Sequence, residues 1–553
     1  MAGVDVCVVG AGPVGLTLAI ALRRLGLGVR VVDRAPGAGR GARALVVWPR
    51  AAEALESLGV LGALRDRAVE LGGVTVHGLG RRLGELVTGW HRSAHRRPLT
   101  IERHDLVRLL CGELARLGTK VEWDTEVTDV AVCDDRAEFT LRLPDATAES
   151  GTAGWIVGCE GTDGVVRDRL GIPLEGRRGA GTQLVQGNAE ADWPHGRRPG
   201  HGHVFLAPRR SVLALPLPGG GYRFLCLRDD PDPARTGPPT LDELRDLVAD
   251  TARVPGLRLF PTEPLWLDRA RFGRRFAARL RHGRGLLAGD AAHAWAPAGG
   301  HGMSVGILGA HNLAWKLASV HRGQADEALL DTYCTEQRAL ALKYVRDARR
   351  TFLELPLPPI GYRALAAVLP LALAVSRVQQ RVDLRSSGLG RGHRGSALSW
   401  QQAPRSRRGR GARAGDRMPD ARVTTGIPGS PRAAGAEPVR LHSLLSYERW
   451  TLLLDAARAA DPGVRTALEE ACTRASVPLL VLPVSPAEPA EARLLGPPDE
   501  LRLVRPDGYV GLVAPVARPG LLASYLSALA PGAASATVTA TGRGRGACPG
   551  LVP

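Results

Sequence analysis

The most constraining stretch is residues 4–34, VDVCVVGAGPVGLTLAIALRRLGLGVRVVDR. An apolar run of β character, Val4 to Val9, meets a glycine turn, Gly10-Ala11-Gly12-Pro13-Val14-Gly15. A helical pattern over 16–25 follows, then a second β run, Val29 to Val32, that ends on Asp33. Each part has a physical task. Gly10 permits the tight turn, Gly12 lets a pyrophosphate approach the backbone, and Gly15 lets helix and strand pack closely. The helix N-terminus presents unpaired N–H groups and the positive end of its dipole to phosphates. Asp33 stands where a carboxylate accepts bonds from a ribose diol. A glycine fingerprint with a strand before it, a helix after it and an acid at this distance predicts dinucleotide binding. It leaves open which dinucleotide, and for what chemistry.

At 553 residues the chain has room for two to four domains. Its 44% hydrophobic and 23% charged residues describe a globular protein. Residues 364–375 are apolar but too few to span a bilayer, so they predict a buried helix and no membrane association. The first residues lead directly into a strand without the basic stretch of a signal peptide, which predicts a cytoplasmic protein. Eight cysteines are scattered without CxxC or zinc-ligand spacing, as suits thiols in a reducing compartment. The net charge of +18 raises the question of nucleic acid. The arginines that carry it are spread along the chain. The one dense run, residues 405–413 (RSRRGRGAR), has no interleaved aromatics to stack on bases. It reads as a solvated linker, and no nucleic-acid partner is predicted.

In chain order, residues 37–50 form a glycine-rich loop in which Arg40 and Arg43 are within reach of a pyrophosphate or an incoming nicotinamide cofactor, and residues 50–59 have helical spacing. Residues 100–117 are a helix with Leu106, Leu109, Leu110, Leu114 and Leu117 on one face. Arg103 at its entry is a candidate phosphate contact. Residues 121–132 read as strand, turn and strand, with Val127 positioned to meet an adenine through its backbone. Residues 155–167 are a strand entering a turn and a helix, with Gly158, Gly161 and Gly164 marking a second close approach to a ligand. From 181 to 228, short β runs separated by Gly and Pro predict an inserted antiparallel sheet. Thr240 opens a helix with a capping box, TLDE.

The second chemical centre is 285–317, GLLAGDAAHAWAPAGGHGMSVGILGAHNLAWKL. A strand over 285–288 ends at Gly289-Asp290, a Pro/Gly loop follows, and a helix begins near Met303 or Ser304. A buried Asp290 suits a sugar-like hydroxyl, and a helix N-terminus aimed at a ring stabilises negative charge there. His293 and His301 have no carboxylate beside them in sequence and read as loop hydrogen-bonders. Residues 331–349 are helical, and a Pro-broken segment over 355–375 ends that domain. From about Val439 alternating strands and helices suggest a small thioredoxin-type domain, without the CxxC of dithiol chemistry.

Three motifs in this order and spacing resemble the FAD-dependent aromatic hydroxylases, the para-hydroxybenzoate hydroxylase-like flavoprotein monooxygenases. They are the fingerprint 10–15 ending on Asp33, the mid-chain motif 158–167, and Gly289-Asp290-Ala291-Ala292-His293 leading into Pro297 and 299–303. AHNLAWKL (310–317), AGDRMPDA (414–421) and RPDGYV (505–510) resemble the longer branch of that family, which acts on phenols and polyketides and carries a thioredoxin-like C-terminal domain. The chain departs from the family pattern at four places. Glu160 stands where Asp is usual, Gly164 where Ser is common, Ser304 where Asn is common, and Gly309 where Asp is frequent. Ser304 bears on the contact to the isoalloxazine ring, not on FAD binding itself.

The resemblance implies an α/β fold with a Rossmann-like FAD-binding domain, an inserted antiparallel-sheet substrate domain and a thioredoxin-like C-terminal domain. The expected bounds are 1–180 for the first FAD-binding part, with substrate-domain strands near 72–100, then 181–275 for the sheet and 276–400 for the second FAD-binding part. A linker (401–438), the C-terminal domain (439–532) and a disordered tail (533–553) follow. FAD would take Gly10, Gly12, Pro13, Val14, Gly15, Asp33 and Arg34 at its ADP half, with Arg43, Arg103 and Val127. Gly289 and Asp290 would hold the ribityl chain, and Pro297, Gly299, Gly300, Gly302, Met303 and Ser304 would cradle the ring. NADPH or NADH would serve as a transient co-substrate, and oxygen would pass through a flavin hydroperoxide to a small aromatic substrate. No side-chain nucleophile and no metal are implied, and a monomer or homodimer is expected. Leu213, Leu215 and Leu225 suit a bulky aromatic under the inserted sheet. Baeyer–Villiger insertion or epoxidation on the same fold, and a non-catalytic flavin-binding interaction protein, are the alternatives.

Overall fold

The structure is a computed structural model that describes residues 3–39, 46–177, 182–196, 198–229, 236–271, 273–295, 298–348, 358–403, 411–425, 437–473 and 475–532. Its first layer is a largely parallel sheet. Val4–Val9 lies between Val29–Val32 and Ala148–Gly158, parallel to both, and Gly285–Leu287 and Val121–Glu122 extend the sheet on either side. These strands are near-continuous apolar runs because both faces are covered. Val6, Cys7, Val8, Val31, Val32, Ile156 and Val157 are all fully buried. The fingerprint helix Pro13–Arg24 packs against the helices Arg103–Arg116 and Gly302–His321. Such a sheet binds ligands at the carboxyl ends of its strands, where the glycine turn and Gly289 sit.

The inserted sheet has eight strands among the described residues. Gly73–Gly78 and Arg81–Val87 join the strands from Thr182–Asp192 to Leu267–Arg271, with Gly73–Gly78 parallel to His201–Ala207 and the remaining pairs antiparallel. Alternation divides its faces. Val185, Phe205, Val212, Phe224 and Cys226 pack with Leu244 and Val248 of the helix Leu241–Ala252. The Thr240 hydroxyl caps that helix, accepting from Glu243 N at 3.1 Å. The opposite face carries Val74, Val204, Leu213, Leu215 and Leu225 and looks towards the parallel sheet.

Two expectations need correction here. Residues 364–375 do not form a buried helix. They belong to Pro359–Ala374, which bends by 96° into Ser376–Ser386. Tyr362, Ala366, Leu369 and Leu373 pack on the inserted sheet, while Ile360, Val368 and Leu371 stand exposed. An apolar stretch of this composition is equally compatible with core and with a one-sided surface helix, and the neighbours decide. Among the described residues no single helix is long and apolar enough to cross a membrane. The second correction concerns the linker. Trp400–Gln401 and Arg422–Thr425 are strands of a C-terminal seven-stranded sheet, Met418 is fully buried, and Arg417 pairs with Glu53 in the nucleotide-binding region. Of the arginine-rich run, 404–410 lies outside the described residues, as do 426–436 and the tail 533–553.

Candidate active site

One cavity of about 1280 Å³ runs from the fingerprint turn, past the N-terminus of the helix Gly302–His321, to the apolar face of the inserted sheet. Pockets for a single small ligand measure roughly 300–1000 Å³, and this larger cleft suits a dinucleotide with a second molecule beside it.

Gly10, Gly12, Pro13 and Val14 line the cavity with Asp33, Arg34 and Arg103. Gly10 has φ +106°, and a Cβ there would stand 2.6 Å from Cys159 O. A Cβ on Gly12 would meet only Arg103 Nη2, at 3.5 Å, so Gly12 leaves its side open to the cleft under that guanidinium. Gly15 lies behind the turn rather than on the cavity. A Cβ there would sit 2.0 Å from Gly10 O, so this glycine serves packing. The helix Pro13–Arg24 has no side-chain cap and no acid in its first turn, which leaves its first N–H groups to the cleft. Asp33 braces the turn: Oδ2 accepts from Ala11 N at 2.6 Å and Oδ1 from Ala35 N at 2.8 Å. The Val127 side chain is buried in the core and the residue does not border the cavity. It lies in the strand Glu126–Val132 next to a register shift that skips Thr128, and its side chain packs into the core beneath the sheet. Arg40 and Arg43 lie outside the described residues.

The mid-chain motif forms the adjoining wall. Glu160 caps the short helix Val165–Arg169, Oε1 accepting from Val165 N at 3.1 Å and Oε2 from Val166 N at 3.0 Å. Burial pushes its carboxyl up to about 7, against the two N–H bonds and the charges of Arg34 and Arg167.

The third motif closes the far end. Gly289 has φ +64° and packs against Val14. Asp290 lines the cavity but is exposed on its wall rather than buried, because a turn of 3-10 helix, Gly289–Ala291, carries it out of the sheet. Gly299, Gly300, Gly302 and Met303 line the cavity, Gly299 and Gly300 with positive φ, and Pro297 lies outside the described residues. The following helix begins at Gly302, slightly earlier than its spacing suggests. It has no side-chain cap and no acid in its first turn.

Ser304 does not reach the cavity. It is buried, accepts from Trp48 N at 3.1 Å and donates to Val46 O at 3.2 Å, which ties the strand Val46–Val47 to this helix. Trp48 Nε1 donates to Gly299 O at 3.0 Å, so the glycine loop is held from the same side. Gly309 makes room for Gln337, whose amide would lie 2.7 Å from a Cβ there. Gln337 bonds Val305 O at 3.1 Å and meets His293 Nε2 at 2.8 Å. His293 is thus a buried structural residue, while His301 lines the cavity between the rings of Trp48 and Tyr344. Burial lowers both imidazoles, His293 to about 4 and His301 to about 3, with Arg391 adding to the second. Both imidazoles are neutral at ordinary pH.

The predicted leucines Leu213, Leu215 and Leu225 all face the cavity, beside Val74 and Val204. Trp48, Trp295, Tyr344 and Arg391 complete it and were not anticipated. Trp48 stood in a stretch read for its arginines, and Tyr344 and Arg391 come from segments with no motif of their own. Their aromatic and cationic character was the available signal.

A cleft with two open helix N-termini, a glycine turn under an arginine and a glycine loop at the far end fits FAD in an extended form. The family model for an FAD binding domain matches residues 3–348. The chain is 36% identical over 409 residues to 6-methylpretetramide 4-monooxygenase of Streptomyces rimosus, covering 72% of this chain and 71% of that protein. It is 28% identical over 478 residues to pentachlorophenol 4-monooxygenase of Sphingobium chlorophenolicum, covering 82% and 80%. In fold it is similar to the flavin-dependent monooxygenase PieE, whose structure holds FAD and substrate, with a TM-score of 0.77 over 95% of this chain and 98% of that one at 21% identity.

Proposed function

Because this chain belongs to the FAD-dependent aromatic monooxygenases, we propose that it hydroxylates a polycyclic phenol of polyketide type at the expense of NADPH or NADH. The observation that carries the substrate class is the apolar ceiling of Val74, Val204, Leu213, Leu215 and Leu225 over the Gly299–Met303 end of the cleft. Relatives named for a pretetramide and for pentachlorophenol support an aromatic substrate.

FAD, when bound, supplies the redox and oxygen-activating chemistry, and the protein's residues position, shield and neutralise. Gly10, Gly12, Arg34 and Arg103 would take its diphosphate half, with Asp33 bracing the turn. Asp290 would meet the ribityl hydroxyls, and Gly299, Gly300, Gly302 and Met303 would border the ring. The N-terminus of the helix Gly302–His321 lends positive potential at that end. The apolar ceiling excludes water from the reacting face. The C-terminal unit would take a thioredoxin-type fold, and Cys472 is its one cysteine among the described residues.

The test is NAD(P)H oxidation by the purified flavoprotein against a panel of polycyclic phenols, with NMR of each product. Substrate-stimulated oxidation yielding a ring hydroxyl is expected. The reading fails if no phenol stimulates oxidation, or if the product is a lactone.

A further inference from the structure

We propose that the bent helix pair Pro359–Ala374 and Ser376–Ser386 docks this protein on an anionic lipid surface. Thirteen large apolar side chains are exposed among the described residues; six of them fall on this pair and a seventh, Val375, at its bend. Scattered exposure is ordinary in a soluble protein; a contiguous concentration marks a contact surface. On the first helix Ile360, Val368 and Leu371, at 84%, 62% and 73% exposure, lie on the face opposite the buried Tyr362, Ala366, Leu369 and Leu373. The stripe crosses the 96° bend at Val375 and continues through Val378 and Val382 at helical spacing. Trp90 and Val87 extend it. Both are exposed, and their backbone N–H groups bond to the second helix, Trp90 N to Asp383 Oδ2 at 2.9 Å and Val87 N to Gln379 Oε1 at 3.1 Å. An exposed indole beside an apolar stripe suits the headgroup boundary of a bilayer.

Charge selects the occupant. Arg363, Arg377, Arg381 and Arg385 are exposed around the stripe. The pair has one carboxylate, Asp383, which is buried and turned inward onto Gly89 N and Trp90 N. A second copy laid on this face would oppose arginine to arginine with no exposed acid from the pair to compensate. Anionic headgroups neutralise all four cations while the valines and leucines enter the acyl boundary. Gln379, Val382 and Arg385 also line the cavity, so the docked face and the cavity mouth share one helix. The proposal holds whatever the substrate is.

The test is co-sedimentation of the full-length FAD-loaded protein with large vesicles of phosphatidylglycerol and phosphatidylcholine in equal parts, and with phosphatidylcholine alone. Binding to the anionic vesicles, released by salt, is expected. V368D/L371D abolishes it, and R377Q/R381Q weakens it by about thirty-fold, the loss of two cations at about 1 kcal/mol each, both variants keeping the flavin spectrum and hydrodynamic size of the parent. These positions are exposed, so either variant serves if the other folds poorly. The proposal is overturned if the parent ignores anionic vesicles or if both variants bind as the parent does. It is overturned equally if V368D/L371D turns a dimer into a monomer that binds lipid undiminished, since a second copy would then own the face.

Discussion

Glu160 and Gly164 occupy a single space. A Cβ on Gly164 would stand 2.8 Å from Glu160 Oε2, an oxygen held by Val166 N at 3.0 Å. The longer acid at 160 and the missing side chain at 164 are one compensated change, in which the carboxylate caps its helix from the extra reach and the glycine gives way to it. Gly164→Ser alone is therefore expected to displace the carboxylate and destabilise the protein. Adding Glu160→Asp restores room, and the double-mutant cycle should show a favourable coupling of about 1 kcal/mol. Urea unfolding of the four proteins measures it; additive effects would mean that the two positions are independent.

The same carboxyl makes stability depend on pH. Burial lifts Glu160 from its ordinary 4.5 to about 7 in the folded chain. Folding therefore takes up a proton between those values. This group's contribution is fully present below pH 4.5 and is lost as pH rises through 7, by on the order of 3 kcal/mol. Calorimetric melting of the FAD-free protein across that range should show a steeper fall with pH for the parent than for Glu160→Gln. Equal slopes would refute the assignment.

Arg505 joins the C-terminal unit to the nucleotide-binding region through Glu336, Nη1 to Oε1 at 2.7 Å and Nη2 to Oε2 at 2.9 Å. Lys316 and Asn312 bond the same carboxylate, and Asp507 balances the second cation, all of them buried. Burial alone would raise Glu336, but Arg505 and then Lys316 hold it well below the usual carboxylate range. Glu336→Gln leaves two buried cations against one acid and should cost about 3–5 kcal/mol. Calorimetry should show a lower melting point and a separate transition for the C-terminal unit. A single unshifted transition would show that the seam does not rest on this pair.

The two ends of the fingerprint should respond differently to one methyl group. Gly15→Ala forces a Cβ to 2.0 Å from Gly10 O and should prevent accumulation of folded protein. Gly12→Ala meets only Arg103 Nη2, so the protein should fold while its FAD affinity falls about tenfold, a loss of about 1.4 kcal/mol. Flavin fluorescence titration of the FAD-free protein reads the second effect. Unchanged affinity would mean that Gly12 does not face the cofactor.

Ser304 offers a milder test. Its hydroxyl bridges Val46 and Trp48, so Ser304→Ala removes two bonds from a buried strut and leaves the cavity wall in place. A stability loss of about 1–2 kcal/mol with retained FAD content is expected. Urea unfolding and the flavin absorbance of the purified variant report the two quantities. Loss of bound FAD at unchanged stability would place the hydroxyl on the cofactor after all.

Much of this protein is written locally. The strand–turn–helix of residues 4–34 is specified by glycines whose spacing has one physical use, and Leu213, Leu215 and Leu225 follow from strand alternation. Other features depend on partners distant in sequence. Ser304, a ring contact by its place in the motif, bonds Val46 and Trp48 instead. Residues 364–375 have the composition of core, and the inserted sheet covers only one of their faces. Residues 411–425 have the composition of a linker, and Glu53 and the C-terminal sheet claim them.

The sequence by itself determined the cofactor class, the order of the three motifs and the existence of an apolar sheet over the site. Backbone conformation and residue periodicity are properties of neighbours in the chain, so a single sequence carries them. Only the tertiary structure decided which side chains face the cavity, that Glu160 and Gly164 compensate each other, and that an apolar elbow edged with arginines is left uncovered. Those depend on which surfaces meet across hundreds of residues, and burial is settled by what lies opposite.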